Sequence, residues 1–283
     1  MLLAGCQKEG PDATPSDASH DPSMGTEKAY VPNPSAHVYA LVDHPTFGSC
    51  LHEVLPGPIM ANRGPIRRRV SPTSNQTINH LMGMTWDPDL TCAWFVSDNT
   101  ASNSAHRNRL WRFTGGLPLS GSSGINVDIG APLIELATGD TVRDAMDIEF
   151  DPTTHMIYLL RGGGRFATVS VAPGSVGVVS DIGPCPPMQA FSFDCTGEIV
   201  TYRSTDGTTL RMDRTLAPLG LPVPFCVGLP VSADAGLEPI GPNCEAMAIT
   251  AYVPLNNRIA RIPIGTVTPI LPALNTLDMT TMP

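Results

Sequence analysis

The chain has 283 residues, a formal net charge of −9 and only 15% charged residues, well under the roughly 25% of typical soluble domains. This acidic balance excludes a general nucleic-acid binder, which needs a basic footprint to displace counterions. No run of about 18 apolar residues exists to cross a membrane as a helix. The 26 glycines and 29 prolines predict many turns and few long helices, in one large all-β domain or two ordinary ones.

The first segment in chain order is Leu3-Ala4-Gly5-Cys6. It resembles the lipobox of bacterial lipoproteins, and the five residues before Cys6 read as the end of an export signal. The resemblance implies cleavage just before Cys6 and a diacylglycerol on its sulfur. Gln7, rather than Asp, then implies the outer membrane of a Gram-negative cell, with the body of the protein extracytoplasmic. Residues 7–35 are rich in Pro, Ser, Asp and Ala. They carry too little apolar surface to offset their ordering entropy and are expected to form a disordered tether. The expected organisation is a signal remnant at 1–6, a linker at 7–35 and one folded domain at 36–283.

In the body, four segments align without gaps: "HLMGMTWD" (80–87), "DAMDIEFD" (144–151), "PMQAFSFD" (187–194) and "EAMAITAY" (245–252). Each alternates apolar residues with period 2, as in Met82, Met84 and Trp86, or Met146, Ile148 and Phe150, the mark of a strand. They recur roughly every 40 to 65 residues, within or above the spacing of propeller blades. In three of them an Asp then opens a turn, the carboxylate capping it and Pro fixing φ where present. Second strands follow ("CAWFVSD", "MIYLLRG", "EIVTYRS"), then third strands ("RLWRFTG", "RFATVSV", "TLRMDRT") and weaker fourth ones ("PLIELAT", "VGVVSDIG"). Residues 37–70 read as strands two to four of a blade lacking its first, and "RIARIPIGTVTPILPAL" as late strands of the last blade. The pattern resembles the blades of secreted bacterial β-propellers. That resemblance implies about five four-stranded blades, or six if 215–243 hides one. Packing such blades in a ring covers faces that none can bury alone. A β-sandwich is the competing architecture. Trp86, Trp94 and Trp111 are expected between blades, and Arg67-Arg68-Arg69 on a charged edge strand.

In four-stranded blades, the loops into first strands and those between strands two and three share one face. This gathers His80, Arg143, Asp144, Arg161, Arg203 and Glu245 as a candidate rim, with Asp147 on an inner strand below. A mixed rim of this kind suits an anionic, sugar-like or protein ligand. Asp144, Asp147 and Glu245 are the candidate ligands for Ca²⁺ or Mg²⁺. Setting Cys6 aside leaves six cysteines, an even number that suits an oxidising compartment. Cys226 and Cys244 flank a long loop and are the expected disulfide. "RGGGR" (161–165) lacks the Lys-Ser/Thr and helix of a phosphate-binding loop and reads as a hairpin turn.

Three readings from different classes remain. One is a lipid-anchored, non-catalytic binding or scaffold module of the cell envelope, meeting an envelope protein or glycan. Another is a metal-dependent hydrolase of lactonase type, with Asp144, Asp147, Glu245 and His80 around a channel cation. A surface protein whose loops do nothing specific is a third.

Overall fold

The computed structural model describes residues 37–44, 46–54, 60–71, 73–115, 123–128, 130–194, 197–203 and 206–224, and the strands within 235–282. In chain order the strands are β1 (His37–His44), β2 (Gly48–Val54), β3 (Met60–Ser71), β4 (Ser74–Thr77), β5 (Leu81–Asp87), β6 (Cys92–Ser97), β7 (Arg109–Phe113) and β8 (Ile125–Val127). There follow β9 (Ala131–Pro132), β10 (Ile134–Glu135), β11 (Ala145–Asp151), β12 (Met156–Arg161), β13 (Arg165–Val169), β14 (Val178–Pro184), β15 (Ala190–Phe193) and β16 (Ile199–Arg203). The last are β17 (Thr208–Met212), β18 (Val223–Pro224), β19 (Ala235–Ile240), β20 (Ala246–Val253), β21 (Asn256–Arg261), β22 (Thr266–Ile270) and β23 (Asn275–Met282). Among the described residues the only helix is a 3₁₀ turn, Ser104–His106.

These strands form five antiparallel meanders: β23-β1-β2-β3-β4, β5-β6-β7-β9, β11-β12-β13-β14, β15-β16-β17-β18 and β19-β20-β21-β22. The first strand of each packs on the first strand of the next, β5 on β11, β11 on β15, β15 on β19, β19 on β23 and β23 on β5. The circuit closes, and the fold is a β-propeller. The first blade does lack its own inner strand, and β23 supplies it, pairing antiparallel with β1 from His37↔Met282 to Asp43↔Asn275.

Three expectations on strand order change. "EAMAITAY" is the second strand of the last blade, because β19 precedes it and takes the inner place. "PLIELAT" divides: β9 completes the second blade, while β10 pairs parallel with β14 of the third. Arg67–Arg69 lie within a three-stranded patch, because β3 runs on past β2 to pair with β4 on one side and with β8 on the other. Short segments lent to a neighbouring blade in this way cover edges that would otherwise be open.

Blade faces fill with the alternating apolar residues. Leu41, Leu51, Ile66, Met84, Phe95 and Trp111 form one inter-blade cluster. Trp94, Val96, Leu110, Ile148, Ile157 and Leu159 form the next, and Phe166, Phe191, Phe193 and Met212 a third. The tryptophans sit between blades as expected, Trp94 and Trp111 buried and Trp86 half-buried. One departure recurs. Bulges between Leu81 and Gly83, and between Ala145 and Asp147, offset the alternation by one residue. Met82 and Met146 therefore pack on the opposite faces from Met84 and Ile148.

The repeated Asp caps its turn in each case. Asp87 Oδ1 accepts the amides of Asp89 and Leu90 at 3.0 Å, Asp151 Oδ1 that of Thr153 at 2.8 Å and Asp194 Oδ1 that of Glu198 at 3.0 Å. In the first blade, His52 on β2 is 1% exposed, and neither ring nitrogen has a hydrogen-bond partner. Burial, and then the nearby His44, lower its pKa from 6.5 to about 4. The unfolded chain therefore binds more protons than the folded one between these values. Stability is full above about pH 6.5 and falls as pH drops towards 4, by on the order of 3 kcal/mol from this group. Urea midpoints measured against pH should fall more steeply for the wild type than for His52→Gln across that window.

Candidate functional site

The loops expected to share one face do so. The Gly162 amide donates to Asp144 O at 2.7 Å, the Gln189 amide to Tyr202 O at 2.9 Å and the Ser49 amide to Ile78 O at 3.0 Å. Asn79 Nδ2 donates to Ser102 Oγ at 3.0 Å. Each bond ties the segment entering an inner strand to a turn between strands two and three (Gly162, Ser102) or to a strand residue beside such a turn (Tyr202, Ser49).

On this face the rim residues fall into separate groups. Arg161, at the end of β12, donates from Nε to Asp144 Oδ1 at 3.0 Å and from Nη1 to Glu135 Oε1 at 3.5 Å. Arg203, at the end of β16, grips Asp206 through Nε (3.0 Å) and Nη2, and reaches Thr208 Oγ1 at 3.3 Å. Arg203 thus closes its own hairpin turn, while Arg161 ties its turn to the segment entering β11 and to β10. Arg143 is exposed. His80 is half-buried, with φ of 57° where the chain bends into β5.

Asp147 lies deeper, 2% exposed on β11. Its Oδ1 accepts its neighbour Ile148's amide at 2.9 Å, and its Oδ2 accepts the Phe191 amide of the next blade at 3.2 Å. Glu149, two residues on and 4% exposed, accepts from Thr85 Oγ1 at 3.1 Å, and Thr85 Oγ1 in turn accepts the Phe150 amide at 2.9 Å. Thr85 and Glu149 hold the same place in aligned strands of adjacent blades, and their bond staples the two. The opposite face carries a pair that the sequence reading missed. Arg214, after β17, holds Asp151 with Nε at 2.7 Å and Nη2 at 3.0 Å.

Asp144 and Asp147 thus have different partners rather than a common centre. Among the described residues no group of three His, Cys, Asp or Glu side chains could hold a metal ion. Glu245, Cys6, Cys226 and Cys244 lie outside the described residues. Cys50, Cys92 and Cys185 are free thiols, so the even count does not resolve into three disulfides. Burial raises their pKa to about 11, 12 and 11, which suppresses the reactive thiolate.

No protein-family model and no curated protein sequence matches the chain. Among solved structures, it is similar to a chain of the nidogen/laminin complex, with 9% identity and a TM-score of 0.47, covering 88% of this chain and 99% of that one. A catalytically inactive virginiamycin B lyase from Staphylococcus aureus, with quinupristin, aligns at 10% identity and a TM-score of 0.40, covering 78% of this chain and 62% of that one. YCF48 bound to D1 peptide aligns at 10% identity and a TM-score of 0.38, covering 84% and 78%.

Proposed function

We propose that the protein is a lipid-anchored extracytoplasmic β-propeller that acts as a non-catalytic binding module of the cell envelope, meeting an envelope protein or glycan through its rim loops. One observation carries the non-catalytic part. Two of the three candidate metal ligands serve the architecture: both oxygens of Asp147 accept backbone amides, one of them across a blade boundary, and Asp144 pairs with Arg161. A carboxylate spent on fixed backbone donors is a poor partner for a cation that needs several free oxygens. The anchor rests on Leu3-Ala4-Gly5-Cys6 and the polar segment after it.

The test is fractionation of a Gram-negative host carrying the protein, with a clickable fatty acid supplied for labelling. The wild type should take the label and sediment with the outer membrane, and Cys6→Ala should lose both. A wild type that stays unlabelled in the cytosol removes the anchor. Elemental analysis of the purified protein addresses chemistry separately. One equivalent of Ca²⁺ or Mg²⁺, lost on Asp147→Asn, would return the hydrolase reading to the front.

A further inference from the structure

The boundary between the first and second blades holds cationic and titratable side chains with no acidic partner among the described residues. Ile66 and Arg68 are two residues apart on β3 and so project to the same face. Ile66 packs with Trp111, which is fully buried. The His106 ring stands edge-on to Trp111, with centroids 5.6 Å apart. Ser97 Oγ fixes this corner, accepting from Trp111 Nε1 at 3.1 Å and donating to His106 O at 2.5 Å. Arg109, paired in register with Ser97, donates from Nη1 to Gly130 O at 2.5 Å.

His106 thus lies against this tryptophan, Arg109 is two residues before it on β7, and Arg68 shares the face of Ile66, with no acidic partner for the three among the described residues. The Arg68 side chain makes no hydrogen bond or ion pair among the described residues, and its Nε is buried without a partner. His106 is 1% exposed, and its Nε2 is also buried without a partner. Burial and the positive charges of Arg68 and Arg109 lower the His106 pKa. Seven other arginines pair with acids among the described residues: Arg63 with Glu53, Arg112 with Asp128, Arg161 with Asp144, Arg165 with Asp181, Arg203 with Asp206, Arg211 with Asp194 and Arg214 with Asp151.

We propose that Arg68, His106 and Arg109 form a recognition site for a carboxylate group. A guanidinium presents a planar fork of donors that matches the two oxygens of a carboxylate. Arg68 supplies the free fork. The second terminal nitrogen of Arg109 adds positive potential beside it, and the His106 ring, whose protonation burial and these cations oppose, contributes only a neutral N–H. One open fork over an apolar floor suits a planar monoanion better than a phosphate, which is typically cradled by several convergent backbone amides. The site goes beyond the envelope-module reading and is independent of the lipid anchor and of the absence or presence of catalysis.

The test is a titration of the isotope-labelled protein with sodium acetate, against sodium chloride at matched ionic strength, following the ring ¹⁵N signals of His106 and the Nε signal of Arg68. Acetate should move both saturably while chloride does not. Arg68→Gln should abolish the His106 response, and Arg68→Lys should weaken it by about tenfold through loss of the fork. Inorganic phosphate should bind more weakly than acetate. Unmoved wild-type signals would overturn the site whatever the variants do. A His106 response that persists in Arg68→Gln would also overturn it, and tighter binding of phosphate would overturn the carboxylate assignment.

Discussion

A chain ended after Leu274 should fail to reach the native state, although it loses only β23 and Pro283. That strand is the inner strand of the first blade, paired with β1 from His37 to Asp43 and packed on both β5 and β19. Its removal exposes the ladder groups of β1 and leaves two neighbouring blades without a wall. An unpaired inner edge is costly because each buried backbone group that loses its partner forfeits about 1–3 kcal/mol. The total stability of a domain is only about 5–15 kcal/mol. The expected result is loss of near-UV circular dichroism and of a cooperative urea transition, with dye binding to exposed apolar surface. A circular permutant separates topology from mere truncation. Met282 lies opposite His37 in the register, so a tight turn joining them would make β23 and β1 a hairpin. The permutant, cut between β22 and β23, should fold cooperatively. Its failure to do so would mean that more than closure is lost.

The blades were largely legible because their signal is local. The Asp turns and the alternating strands report contacts within a few residues, and the same alternation placed the three tryptophans between blades. What was not legible depends on distant partners. Nothing in "NTLDMTTM" says that it completes a sheet begun some 240 residues earlier in the chain. Local pattern likewise cannot tell the first strand of the last blade from the second, since both are strands of similar length. The bulges that turn Met82 and Met146 to the opposite face are set by pairing, not by composition. For the candidate site, loop position correctly brought Asp144 and Arg161 together, and with them the turns of one face. Their roles depended on which atoms meet. Asp147 looked available as a ligand because its amide partner, Phe191, is 44 residues away in another blade. Arg68 looked like edge protection because β8, which pairs beside it in the sheet, comes from the following blade.

Replacing Asp151 with alanine should be the most damaging single change among the polar residues. The carboxylate is fully buried. It accepts two bonds from Arg214, one from the Thr153 amide and one from Thr154 Oγ1 at 2.8 Å. It therefore caps the turn of its own blade and clamps the next blade at once. Breaking a buried pair by removing one partner costs about 3–5 kcal/mol, because the surviving charge stays desolvated. The Arg214 side chain is 32% exposed and can turn to water, which puts Asp151→Ala near the lower end. Arg214→Ala leaves the fully buried carboxylate with its turn donors only and should cost a similar amount. The double variant should fall well short of the sum, since the two residues act as one unit. The His155–Asp89 pair also links turns of adjacent blades, but its side chains are 44% and 43% exposed. Asp89→Ala should therefore cost well under about 1 kcal/mol. Urea unfolding of the four variants decides the matter. If Asp151→Ala and Asp89→Ala shift the midpoint equally, burial is not what gives the Arg214 clamp its strength, and the blades are held by their apolar faces alone.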